Sequence, residues 1–154
     1  VATSAYGVRF MLIVSLASLL LVAVCSLIHY EALSALNSRL PHWKLPRRRK
    51  LLVLVFVIFF AHAAEAVVYG VVQYFLILYA DVGTITGPTK FSLMACIYHS
   101  AETYTSLGYG DFTPEGPIRM LAGVEALNGL LLIAWTASFA YLEMERYWKV
   151  GSSR

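Results

Sequence analysis

Hydrophobic positions in this chain fall in long runs, not in the alternation of a half-buried strand or the narrow stripe of a surface helix. The first run extends from about Val8 to His29 and is broken after Arg9 only by small polar serines. The second covers Leu51 to about Tyr79, and the third covers about Ile118 to Tyr141. At 1.5 Å of rise per residue, about 20 apolar residues cross the hydrocarbon layer of a bilayer. Each run meets that length, and the second can tilt or project past the lipid. A fourth apolar piece, Phe91 to about Tyr104, is too short to cross and reads as a re-entrant or interfacial helix. Gly87-Pro88-Thr89 before it has the form of a helix start, because proline is tolerated in the first turn. The third run passes into Glu143-Met144-Glu145-Arg146-Tyr147-Trp148, where the rings suit an interface and the charges suit water.

Composition agrees with that pattern. The chain is 59% hydrophobic and 14% charged, with mean hydropathy +0.68, whereas a soluble domain carries about 25% charged residues. The net charge of +3 matters less than its distribution. Arg39, Lys44, Arg47, Arg48, Arg49 and Lys50 crowd the linker after the first run, while Asp81, Glu102, Asp111 and Glu115 dominate the stretch before the third. By the positive-inside rule the basic linker faces the cytoplasm. The N-terminus then lies outside, the C-terminus is cytoplasmic, and residues 81–118 face outward, in an integral plasma (inner) membrane protein. Cys25 and Cys96 sit in apolar runs and read as small buried hydrophobes. A cleaved signal peptide is not expected, since the first run exceeds the usual core of about 7–15 residues. Val24 is also a poor residue to precede a lipoprotein cysteine.

Between the fourth apolar piece and the third span lies Thr105-Ser106-Leu107-Gly108-Tyr109-Gly110-Asp111. Extended backbone at membrane depth is tolerated only where protein encloses it or where it lines a water-filled cavity. Glycines 108 and 110 permit backbone angles strained for other residues, so successive carbonyl oxygens can face one axis and replace the hydration shell of an ion. One copy cannot enclose such a path, whereas several around an axis can.

On these residues the sequence resembles the potassium channel superfamily, specifically its module of outer helix, pore helix, filter and inner helix. The resemblance covers about residues 51–148. The family's filter usually reads Thr-Val-Gly-Tyr-Gly-Asp. Here Ser106, Leu107, Gly108, Tyr109 and Gly110 match the ion-coordinating set, which would make K+ the bound ion and require no other cofactor. Ser106 keeps the hydroxyl of the usual threonine without its methyl, and Leu107 is bulkier than the usual valine. Thr105, Glu102 and Asp111 would support the filter. The resemblance implies that Glu102 in the pore helix pairs with Asp111 and shares a proton with it. Tyr98 and His99 are either filter braces or ordinary packing residues. Gly129 stands where inner helices of the family often carry a flexible glycine, and it reads as either a gating hinge or a close-packing residue.

Ionisable residues inside spans are costly and are usually paired or functional. His62 and Glu65 share a face of the second span, and Glu125 and Asn128 share one of the third. His62 and Glu65 are expected to lock helices together, and by themselves they do not complete a metal ligand set. Glu125 and Asn128 either line the cavity or bond to His62 and Glu65. The basic cluster Arg47, Arg48, Arg49 and Lys50 suits an interfacial helix on anionic lipid. It is not a voltage sensor, because the arginines are consecutive and lie in a loop.

The expectation is an all-α integral membrane protein in which residues 1–50 form an additional N-terminal transmembrane helix with a basic linker. Residues 51–154 form the pore module, and the assembly is a homotetramer. No catalytic constellation, phosphate-binding loop or nucleic-acid-binding feature is present. The expected function is passive, potassium-selective conduction. A weakly selective cation channel and a non-conducting interaction subunit are the alternatives, and a transporter is disfavoured for want of paired repeats.

Overall fold

The computed structural model of the chain describes residues 2–149, and side chains for residues 7–146. The elements in order are α1 (Ala2–Arg39), a 3₁₀ turn (Leu40–His42), α2 (Arg47–Ala80), β1 (Thr84–Thr86), α3 (Leu93–Tyr104), β2 (Thr113–Glu115) and α4 (Ile118–Lys149). Among the described residues, three helices are long and apolar enough to cross a membrane, within residues 7–42, 47–80 and 118–146. The side chains of Tyr147 and Trp148, read above as interface rings, lie outside the described residues.

α1 does not stop at His29. Leu33, Leu36 and Leu40 continue its buried stripe at three- and four-residue spacing and pack on Leu54 and Ile58 of α2. The basic stretch 31–50 therefore forms no separate interfacial helix. Its first part extends α1, and Arg47–Lys50 form the first turn of α2. Between the two helices, Pro41 lies in the 3₁₀ turn and Pro46 caps α2 in extended conformation, which suits a ring that lacks an N–H and fixes φ. Lys50 Nζ donates to the Pro41 carbonyl at 2.9 Å across this bend.

The short helix α3 begins later than Gly87-Pro88-Thr89, which instead forms a bend after β1. Ser92 is the cap, and its hydroxyl accepts the Ala95 N–H at 3.2 Å, satisfying a donor with no partner inside the helix. Gly87 answers a different need, since a Cβ there would come within 2.4 Å of the Phe112 ring. β1 and β2 pair antiparallel, Thr84 opposite Glu115 and Thr86 opposite Thr113. This two-stranded clasp adds a small β component to the expected helical fold and ties the chain entering α3 to the chain leaving the Gly-Tyr-Gly segment.

α3 packs between α2 and α4, and α1 packs on both long helices. Val14, Leu21 and Cys25 of α1 join Ala66, Tyr69, Tyr104, Leu121 and Leu132 in one core. Two glycines set the depth of α3. A Cβ at Gly70 would approach Ile97 Cα to 2.6 Å, and one at Gly129 would approach the Tyr104 carbonyl oxygen to 2.0 Å. Both long helices thus bring bare backbone against α3.

Candidate functional site

The segment after α3 is shaped by its amide hydrogen bonds. Ser106 N–H donates to Thr103 O at 2.9 Å, and Leu107 and Gly108 N–H both donate to Glu102 O at 2.9 and 3.2 Å. In a trans peptide the carbonyl points opposite to the N–H of the same unit, and no cis bond occurs among the described residues. The carbonyls of Thr105, Ser106 and Leu107 therefore point away from α3. φ is positive at alternate positions, 57° at Ser106, 56° at Gly108 and 77° at Gly110. Glycine at 108 and 110 answers this backbone conformation and not crowding, because a Cβ at either would meet nothing within 4 Å. Ser106 holds the same conformation with a side chain, at a cost of about 1–2 kcal/mol.

The segment is bare on one side. Leu107 is 56% and Tyr109 69% exposed in the single chain. On the other side Glu102 is buried, and its Oε2 has no hydrogen-bond partner. Burial first, and the charge of Asp111 second, hold the Glu102 carboxyl above the ordinary carboxylate range. Asp111 Oδ1 accepts the Phe112 N–H at 3.1 Å. The Tyr98 ring meets Phe112 edge to face at 5.5 Å between centroids. His99 instead turns inward, its Nδ1 3.0 Å from Gln73 Oε1, and burial lowers its pKa.

Two buried polar clusters hold α3 from behind. In the first, Glu125 is fully buried; Gln73 Nε2 donates to its Oε2 at 2.5 Å, and the Ser100 hydroxyl meets its Oε1. Ser100 also reaches the Ala66 carbonyl. Asn128 Nδ2 donates to Tyr69 OH at 3.2 Å. The structure thus brings Glu125 and Asn128 to neither the exposed side nor His62 and Glu65. The second cluster joins four helices. Glu65 accepts from Tyr104 OH, and its Oε1 lies 3.1 Å from His29 Nδ1. His62 Nδ1 lies 2.8 Å from Tyr104 OH, and Thr136 Oγ1 lies 3.0 Å from Nε2 of both His62 and His29. His29, Gln73, Ser100, Tyr104 and Thr136 were not singled out by sequence. His29 was the legible one, being an imidazole inside an apolar run.

A family model described as an ion channel matches residues 51–143. The chain belongs to this ion channel family. The matched residues take in α2, the clasp, α3, the Gly-Tyr-Gly segment and most of α4, so the two-helix module with its re-entrant loop is the channel domain. α1 lies outside the match. No curated protein and no solved structure matches the chain.

Proposed function

We propose that the chain is the subunit of a homotetrameric, potassium-selective channel of the plasma membrane, with its filter at residues 106–110 and its N-terminus outside. The observation that carries this reading is the row of carbonyls turned away from α3, formed by amides tied to Glu102 O and by positive φ at 106, 108 and 110. Four such rows around an axis supply the oxygen rings that replace water around K+. Irregular backbone cannot face lipid, so the exposed Leu107 and Tyr109 call for neighbouring copies. The basic turn at Arg47, Arg48, Arg49 and Lys50 supports a cytoplasmic position for the α1–α2 bend, where anionic lipid is its natural partner.

The test is flux through purified protein in liposomes, followed by reversal potentials in opposed K+ and Na+ gradients. A reversal potential near the K+ equilibrium value is expected. A value near zero removes selectivity, and absence of any flux removes conduction.

A further inference from the structure

The second buried cluster has a use beyond fastening helices. His29, His62 and Glu65 each offer a ligand atom, and the three atoms lie within 4.8 Å of one another. From these residues we infer a binding site for a divalent transition metal of the zinc class, bridging the N-terminal helix to the channel domain.

The donor set is right for such an ion. Two imidazoles and a carboxylate form a zinc ligand set, with Zn–N bonds of about 2.0–2.1 Å, and a tetrahedron of such bonds has ligand-to-ligand edges of about 3.3 Å. The separations here are of that order, though to different oxygens of the carboxylate: His29 Nδ1 lies 3.1 Å from Glu65 Oε1 and His62 Nδ1 3.4 Å from Glu65 Oε2. Tyr104 OH, 2.8 Å from His62 Nδ1 and bonded to Glu65, supplies a fourth oxygen donor. His29 and Glu65 are fully buried, so water does not compete freely for these ligands.

The hydrogen bonds behind the two rings are compatible with this arrangement. Thr136 Oγ1 touches Nε2 of both imidazoles, and a hydroxyl has one proton and two lone pairs. If both Nδ1 atoms carry protons, both Nε2 atoms are acceptors, and the single hydroxyl proton leaves one unserved. If one Nδ1 carries a proton, Thr136 donates to that ring and accepts from the other; if both Nδ1 atoms turn lone pairs inward, both Nε2–H groups donate to Thr136, and the lone pairs facing the carboxylate are then satisfied by a cation. Thr136 is then the outer partner that fixes the tautomer and ring plane of two metal-binding histidines. In that tautomer two inward lone pairs beside a carboxylate attract a cation. The rival is the metal-free cluster, in which a proton joins His29 Nδ1 to Glu65 Oε1 in a hydrogen bond.

Co²⁺ as the probe separates the two. The full-length, untagged protein, stripped with chelator, is expected to take up one Co²⁺ per chain with the strong visible absorption of a four-coordinate ion. Binding weakens as pH falls, since the ligands must lose protons. His29→Gln should weaken it at least about tenfold, and His42→Gln, at an exposed histidine, should leave it unchanged. Should His29→Gln fail to fold, Trp135 provides the readout, because its ring lies 5.5 Å from that of His29. In protein carrying Trp43→Phe and Trp148→Phe, bound Co²⁺ should quench Trp135 emission. Six-coordinate spectra, uptake unaffected by His29→Gln, or unquenched Trp135 each overturn the site and leave the proton as occupant. None of these readouts involves conduction, so they stand or fall apart from the proposed channel activity.

Discussion

Glu102 is where a single protonation changes the charge behind the Gly-Tyr-Gly segment. Its carboxyl is buried behind the Gly-Tyr-Gly segment, and burial and then Asp111 raise its pKa above the ordinary value of 4.5. A group whose pKa rises on folding contributes stability that is complete below its unfolded pKa and is lost as pH rises through the folded one. The contribution of Glu102 to stability should therefore be complete near or below pH 4.5 and fall at higher pH. Glu102→Gln mimics the protonated form and should flatten that fall in melting curves recorded across pH. The same fall in the variant would clear Glu102 of responsibility. Gly129 makes a second prediction at this scale. Alanine there drives a methyl into the Tyr104 carbonyl, which belongs to backbone and cannot swing away. Overpacking of this kind costs about 1–3 kcal/mol, so Gly129→Ala should lower the melting temperature. Gly123→Ala, which meets nothing within 4 Å of its own chain, should not. A pure hinge role for Gly129 would instead alter opening and leave melting unchanged.

Among the elements, α3 is the one everything else positions. Its short length could not bury a core of its own, and it is held by bare backbone at Gly70 and Gly129 and by hydrogen bonds from Gln73, Ser100 and Glu125. Glu125→Leu removes the acceptor of Gln73 Nε2, whereas Ser100 keeps the Ala66 carbonyl, and an orphaned buried polar group costs about 1–3 kcal/mol. Chemical unfolding in detergent should register that loss, with Glu125→Gln costing less. If Glu125 faced the ion path, conductance would change while stability did not. The three spanning helices were legible because hydropathy over 20 residues is a property of sequence alone. The special backbone of the Gly-Tyr-Gly segment was legible because its glycines answer a requirement local to the segment. What escaped were partners set by helix rotation. His62 and Glu65 announced a buried pair, but nothing in the sequence says that α1 turns His29 toward them or that α4 turns Thr136. The cap at Ser92 and the continuation of α1 past His29 escaped for a related reason: a local start signal and a basic linker were overruled by tertiary contacts from Phe112 and Leu54.

At the scale of the whole molecule, one chain leaves one side of the Gly-Tyr-Gly segment uncovered. Its polar clusters face inward among α1, α2, α3 and α4, while Leu107 and Tyr109 stand exposed beside a row of carbonyls. Carbonyl oxygens crowded together repel one another unless a cation lies between them, so the proposed assembly would be stabilised by the ion it conducts. Mass action makes this measurable. A ligand bound only by the folded state adds about 2.7 kcal/mol at a hundredfold excess over its Kd. Light scattering in detergent should give four chains per particle, and the melting temperature of that particle should be higher in K+ than in Na+ at equal ionic strength. Ser106 lacks the methyl that stiffens a threonine side chain, so the innermost ring is the place where Na+ would gain. Ser106→Thr should therefore widen the K+ over Na+ difference in melting temperature. Equal stabilisation by both ions in the parent and the variant would favour a weakly selective pore.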